Sequence, residues 1–163
     1  RSIMSIKSIG LFAIFIACTA VGFGLAGNEG KRLKNNEALI FLIRYIRQRI
    51  GYFKSSTSEI YQSFENDLFE KNGFTAILRE EGLYTAITTT DMFELDEQTE
   101  NALVRFSADI GKLPIGELIS SCDYLLELLN DNQKKLFEQY PSKRKAYSSL
   151  GMLFGIMAVI LLF

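Results

Sequence analysis

Residues 143–163 read KRKAYSSLGMLFGIMAVILLF, so that three basic residues precede eighteen residues without a charge, Ala146–Phe163. An apolar helix of about 20 residues matches the hydrocarbon core of a bilayer, which is roughly 30 Å thick. A second uncharged stretch of twenty-one residues, Ser8–Asn28, lies near the start of the sequence. The two stretches predict a membrane hairpin with transmembrane helices at 8–28 and 146–163. Basic residues flank both on the inner side: Lys31, Arg32, Lys34, Lys143, Arg144 and Lys145.

Charge is distributed unevenly between the two predicted spans. Residues 27–54 carry seven basic and two acidic side chains, and residues 132–146 carry five basic and one acidic. Residues 55–131 carry sixteen acidic and four basic side chains. Because Lys and Arg are enriched on the cytoplasmic side of membrane spans, we expect a cytoplasmic domain at 29–142, with both ends of the chain across the membrane. This domain should be basic next to the bilayer and acidic away from it.

Cleavage of the first apolar stretch is an alternative to a membrane anchor. Phe15–Cys18 loosely resembles a lipoprotein cleavage site, and Gly24–Ala26 resembles a signal-peptidase site. The residues after Cys18 stay apolar, however, where a mature lipoprotein turns polar. An apolar run of this length favours an uncleaved anchor.

The central residues predict helices and no strands. Apolar residues recur at helical spacing from Lys31 to Phe53, and Ser58 is placed to cap a second helix that continues to Asn72-Gly73. Two short helices follow, at 74–81 and 83–88, separated by Gly82. The fold class is therefore all-α, with a bundle of five to six helices flanked by two transmembrane helices.

The later part of the domain predicts two longer helices. Thr88–Thr90 reads as a loop, and Asp96-Glu97 then begins a helix that ends at 111–114. The next helix has the clearest amphipathic pattern, from Ile115 to Tyr140, although polar Asn132-Gln133 interrupts its apolar stripe. Pro141 either begins a separate final helix or bends one continuous helix.

Catalysis is not indicated by any group of residues. The chain has no His, which most nucleophile–base pairs use, and its glycines do not form a phosphate loop after a strand. The acidic run Asp91–Glu100 lacks the central Gly and the spacing of a calcium loop, and a solvated helix start is favoured. Cys18 and Cys122 lie 104 residues apart and fit no disulfide framework, so we expect both to be small buried apolar residues. We expect no enzymatic activity, cofactor, metal, small-molecule substrate or nucleic acid.

Two features point to contacts with other proteins. Gly151 and Gly155 would let helices approach closely, either in a homo-oligomer or against Gly22 and Gly24 of the first span. The acidic half either keeps the protein soluble or docks a basic cytoplasmic partner, because charge speeds encounter and selects partners. The candidate docking residues are Glu94, Asp96, Glu97 and Glu100.

The segment Lys143–Phe163 resembles the closing segment of the stage III sporulation protein AB family. The shared features are the basic residues, Tyr147, the pair Leu150-Gly151, Gly155 and the run Ile160–Leu162. Upstream, Phe106–Lys112 is similar to the turn that precedes the long penultimate helix of that family. Length and the two-span layout also agree, so the resemblance extends over the whole chain.

This resemblance implies a non-enzymatic membrane scaffold with a helical cytoplasmic domain, similar to the platform protein of type II secretion and type IV pilus machines. It implies a place in the mother-cell membrane around the forespore of an endospore-forming bacterium. The implied partners are the other subunits of the stage III sporulation complex, including its cytoplasmic ATPase. Platform proteins usually carry two such domains, and self-association would replace that duplication here. The alternatives are a platform protein of another pilus or secretion system, or a membrane-bound regulatory protein.

Overall fold

The computed structural model of the chain describes residues 16, 17, 20, 30–53 and 56–162. Within these residues the secondary structure is helical and contains no strand, which confirms the all-α prediction. Residues Arg32–Leu136 form one unit, called the bundle below. The described residues before Arg32 and after Leu136 belong to a second unit.

Seven helices occur within the described ranges, and a π-helical turn at Arg49–Phe53 directly follows the first of them. In chain order they are α1 (30–48), α2 (Thr57–Gln62), α3 (Asp67–Lys71), α4 (Phe74–Glu81), α5 (Leu83–Thr89), α6 (Glu97–Asp109) and α7 (Ile115–Leu162).

Helices α1 and α7 run antiparallel within the bundle. At one end the guanidinium of Arg47 donates two hydrogen bonds to the carboxylate of Asp123, with Nη2 3.1 Å from Oδ2. At the other end Gln133 Nε2 donates to the carbonyl oxygen of Leu33 at 3.2 Å. The chain therefore enters and leaves the bundle at the same end, which we call the entry end.

The cap of α2 is Ser56, and the prediction of a cap at Ser58 is wrong. The Ser56 hydroxyl accepts a hydrogen bond from the Glu59 backbone N–H at 3.3 Å, and Glu59 Oε2 accepts from the Ser56 N–H at 3.1 Å. This reciprocal pair is a capping box, which needs Glu three residues after the cap. Ser58 lacks that partner and lies inside the helix.

The prediction of a single helix up to Asn72-Gly73 is also wrong, because two separate helices, α2 and α3, occupy this stretch. The part of the chain that the structure describes therefore has one helix more than the predicted five or six. Asn66 begins α3, because its Oδ1 accepts hydrogen bonds from the backbone N–H groups of Leu68 and Phe69, both at 3.1 Å. Asparagine is among the best N-cap residues, and its local bonds compete with continuation of the helix before it.

Most other predicted helix ends are confirmed. Gly73 and Gly82 adopt φ of +77° and +89°, which favour glycine, and they bound α4 as predicted. Asp96 begins α6 and Pro114 precedes α7. The prediction of a loop at Thr88–Thr90 is wrong for its first two residues, which are the last residues of α5. Their hydroxyl groups donate hydrogen bonds to backbone carbonyls one turn earlier.

Phenylalanine rings fill the centre of the bundle. Phe69 lies among them, and its ring centroid is 4.4 Å from that of Phe74, 6.0 Å from that of Phe93 and 6.3 Å from that of Phe64. Aromatic pairs at such distances contribute about 0.5–1.5 kcal/mol beyond the burial of their area. This cluster fixes α3 and α4 against the loop that precedes α6.

Helix α7 is continuous from Ile115 to Leu162 and contains Pro141, which settles the alternative in favour of one helix. Its buried stripe in the bundle consists of Leu118, Cys122, Leu125 and Leu129. Burial raises the pKa of the Cys122 thiol to about 12, in agreement with the predicted buried side chain. Cys18 lies outside the described residues.

Among the described residues, no helix combines the length and the apolar character that a membrane crossing requires. The predicted span 8–28 lies outside the described residues except at positions 16, 17 and 20. Residues 146–162 of the other predicted span belong to α7. The two-span topology stays a prediction.

Candidate docking surfaces

Buried asparagine side chains hold the loop between α5 and α6, residues 90–96. Asn36 of α1 pairs with the backbone of Glu94 through both polar atoms of its side-chain amide. Its Nδ2 donates to the Glu94 carbonyl oxygen at 2.6 Å, and its Oδ1 accepts from the Glu94 N–H at 3.0 Å. Asn132 of α7 donates to the same carbonyl at 2.8 Å and accepts from the Asp96 N–H at 3.2 Å. The loop is thereby bonded to both α1 and α7.

A third amide adds to these bonds, since Asn35 Nδ2 donates to the carbonyl oxygen of Met92 at 3.0 Å. We call Asn35, Asn36 and Asn132 the amide clamp. A carboxamide carries both a donor and an acceptor, so it can pair with the N–H and C=O groups of a loop as a neighbouring strand would. Each buried backbone group left without a partner would cost about 1–3 kcal/mol.

The clamp also explains the polar interruption of the α7 stripe that the sequence shows. Asn132 is 5% exposed and follows Leu129 at the next buried position, so a polar side chain stands where the stripe is otherwise apolar. A polar side chain is tolerated there because its hydrogen-bonding groups are paired.

Asp96, one of the four acids predicted to dock a partner, has a structural role. Its Oδ1 accepts from the Thr99 N–H at 2.9 Å, which caps α6, and its Oδ2 accepts from Lys135 Nζ at 3.2 Å. Hydrogen bonds from the side chain and backbone of Thr99, together with the ammonium group of Lys135, lower the pKa of Asp96. Asp96 is therefore engaged within the bundle.

The other three predicted acids differ in accessibility. Glu94 is half-buried and is held through its backbone by the clamp. Glu97 and Glu100 lie in the first turn of α6, where acidic side chains favour the helix dipole, and both are exposed. Only these two present freely exposed carboxylates for a partner among the four.

The acidic loop lies at the basic end of the bundle, which differs from the predicted separation of charge. Arg32 lines a cavity of about 260 Å³ together with Asp91, Glu94 and Glu100. Because the clamp residues belong to the first turns of α1 and to α7 near Lys135, this cavity is at the entry end. Opposite charges therefore meet at that end.

The predicted basic flanking residues fall in α1 and α7. Lys31 and Lys34 are exposed beside half-buried Arg32, whereas Lys143 is half-buried and Lys145 is exposed. Arg144 lies between these two in α7.

A groove between α6 and α7 lies at the opposite end of the bundle, and its volume is about 550 Å³. Buried Phe106 and Leu125 form its floor. The α7 side is lined by three small residues and one tyrosine: Gly116, Ser120, Ser121 and Tyr124. The charged residues around the groove are Arg105, Asp109 and Glu117.

In the second unit, α7 exposes large apolar side chains. Leu153 and Ile160 are 62% and 69% exposed, and four others nearby are about half exposed: Leu150, Met152, Ile156 and Met157. Gly151 is buried, and Gly155 follows one turn later in the same helix. Contiguous exposed apolar surface is typical of a site that contacts a membrane or another protein.

A family model described as stage III sporulation protein AB matches residues 7–163. The match covers nearly the whole chain, including the bundle and the C-terminal segment that carries the resemblance. No curated protein and no solved structure matches the chain.

Replacing Asn36 by Ala should destabilise the protein by about 1–3 kcal/mol, because the partly buried Glu94 N–H loses its acceptor. Urea unfolding of the full chain measures this. The control is Asn101→Ala at an exposed position of α6, where the change should stay within about 0.5 kcal/mol. Equal losses in the two variants would contradict the clamp.

Asp96 should make stability depend on acid. Its folded pKa is depressed, so the carboxylate stabilises the protein above its unfolded pKa of about 3.9, and this contribution is lost as the pH falls through the folded value. Asn also caps helices but does not titrate. The difference in melting temperature between the wild type and Asp96→Asn should therefore be largest near neutral pH and shrink below about pH 4. A constant difference would exclude this role.

Proposed function

The chain belongs to the stage III sporulation protein AB family, and from this premise we propose that it is a membrane scaffold of the stage III sporulation complex that docks a cytoplasmic ATPase. A role in stage III of sporulation follows from the family itself. The scaffold has no enzymatic activity in this proposal and acts by holding its partners at the mother-cell membrane around the forespore.

The membrane part of the proposal rests on the uncharged segments and on α7. Residues 146–162 are helical, and at 1.5 Å per residue they extend over about 25 Å, close to the thickness of a hydrocarbon core. Large apolar side chains such as Leu153 and Ile160 are exposed on this segment. Three basic residues precede it directly, as expected for the cytoplasmic end of a span.

The scaffold part rests on the amide clamp. The chain enters the bundle through α1 and leaves it through α7, and both helices are bonded to the same loop at the entry end. The two segments that lead to the proposed spans are thereby fixed to each other within the bundle. A rigid base of this kind suits a protein that positions a partner next to a membrane.

Docking of the ATPase is assigned to exposed acidic side chains. Glu97 and Glu100 are exposed near the entry end, so that a motor bound there would lie close to the bilayer. Complementary charge would speed its encounter with a basic surface of the ATPase and reject acidic proteins. The competing interpretation is that these acids only keep the domain soluble.

Leu153→Arg tests the membrane anchor. An arginine at the centre of a span costs about 2.5–3.5 kcal/mol of insertion free energy. We expect the full chain with this substitution to be partly released from membranes by carbonate, whereas Gln139→Arg, outside the uncharged segment, should be retained like the wild type. Complete retention of Leu153→Arg would argue against a spanning helix.

Glu97→Gln combined with Glu100→Gln tests ATPase docking. Both substitutions keep the shape of the side chain and leave the Asp96 cap and the clamp intact. We expect capture of the co-expressed ATPase by the full chain to weaken about tenfold at low salt. The matched control is Glu80→Gln with Glu81→Gln, which removes two exposed charges from α4. If both pairs behave like the wild type, the acids serve solubility.

A further inference from the structure

We propose that the bundle self-associates head to tail, and that an exposed stripe of α1 in one copy occupies the groove between α6 and α7 of the next copy. The stripe consists of Phe41, Arg44 and Gln48 of α1 and of Tyr52 in the π-helical turn that follows it, and we call it the α1 stripe. This association is independent of the ATPase docking proposed above. It assigns an occupant to the groove between α6 and α7.

The α1 stripe has the composition of an interface. Phe41 and Tyr52 are 50% and 79% exposed, and Arg44 and Gln48 between them are also exposed. Their spacing of three and four residues places them along one face of the helix. Aromatic residues and arginine are enriched among residues that contribute most to binding.

The stripe faces outward because the flanks of α1 are already occupied. On one side Tyr45 contacts α2 through a hydrogen bond to Ser63, with its hydroxyl 3.2 Å from the carbonyl oxygen. On the other side Arg47 is bonded to Asp123 of α7. The ring centroid of Phe41 lies 6.0 Å from that of Phe64, so the exposed ring is supported from beneath.

The groove has room for such a stripe. A Cβ atom placed on Gly116 would meet nothing within 4 Å, so that, apart from its two chain neighbours, no residue that the structure describes fills the space above it. Ser120 lies one turn later and is also small and exposed. Small residues on one helix let a second helix approach closely, and the apolar floor of Phe106 and Leu125 lies below.

Charge on the groove rim complements the stripe. Arg105 lies 3.9 Å from Asp109, its ion-pair partner in the same helix, so these two largely offset each other. Glu117 on the α7 side is exposed and leaves the rim with a negative charge. Arg44, placed between the two aromatic side chains, provides the opposite charge, and such a pair fixes the register of a contact.

The contact is heterologous, since the stripe and the groove are different surfaces of one unit. A contact of this type leaves one unused stripe and one unused groove on every pair of copies. Further copies therefore add to form a ring or an open row. A second copy is chosen over another protein because this chain itself carries the aromatic and basic helix face that the groove fits.

Charge reversal in the full chain, followed by sedimentation in detergent, tests the proposal. We expect the wild type to associate in a concentration-dependent manner, and Arg44→Glu and Glu117→Arg each to weaken association about tenfold. An equimolar mixture of the two variants should associate again, because the acidic stripe of the first variant fits the basic groove rim of the second. Because the unchanged Arg44 of the second variant also fits the unchanged Glu117 of the first, such mixtures should grow by alternation of the two variants, whereas each variant alone should stay dissociated.

Filling the groove gives a second test that does not rely on charge. Gly116→Leu should abolish association without loss of folding, because the site is open and glycine disfavours helices. Ala76→Leu adds an apolar side chain at an exposed position of α4 and should leave association unchanged. A monomeric wild type, equal association of all variants, or a mixture that stays dissociated would overturn the proposal.

Discussion

The structure of the bundle depends on the need to satisfy partly buried backbone polar groups in the loop between α5 and α6. This loop has no helical hydrogen bonds of its own between Thr90 and Asp96, and the amide clamp supplies them from α1 and α7. Its hydrophobic side chains complete the packing, because Phe93 lies edge-on to Phe69 and Phe74. Polar pairing and aromatic burial therefore fix the same loop, and with it the start of α6. The first and last helices are coupled through a segment that belongs to neither.

Much of the fold could be predicted from the sequence because its signals are local. Apolar spacing identifies the long helices, and Gly73 and Gly82 mark helix boundaries through a backbone conformation that suits glycine. The errors concern competition between neighbouring signals. Ser58 has the right residue type for a cap, but Ser56 has the Glu three residues later that completes a capping box. Asn66 stops a helix that apolar spacing alone would continue.

The candidate site was harder to predict because it is assembled by tertiary contacts. Asn36 and Glu94 lie fifty-eight residues apart, and Asn132 lies thirty-eight residues from Glu94. The sequence does contain a trace of the clamp, since Asn132 occupies a position of the α7 stripe where an apolar residue is expected. To predict that Asn132 is buried, one would need to know which backbone groups it bonds to, and a single sequence does not provide this. For the same reason, counting charges along the chain predicts that acidic and basic residues lie at opposite ends of the domain. The fold instead brings some of them together, since Arg32 and Glu100 line the same cavity.

The two ends of the bundle differ in charge and in packing. The entry end is mixed in charge, and the clamp and the Asp96–Lys135 pair hold its loop to α1 and α7. The opposite end leaves a groove open above Gly116, with Ser120 and Ser121 as further small residues on its α7 side. A helix pair that needed only intramolecular stability would gain from a larger side chain in place of Gly116, since glycine weakens a helix. The open groove is thus the part of the bundle that its own packing does not explain, and a contact from outside supplies the missing packing partner.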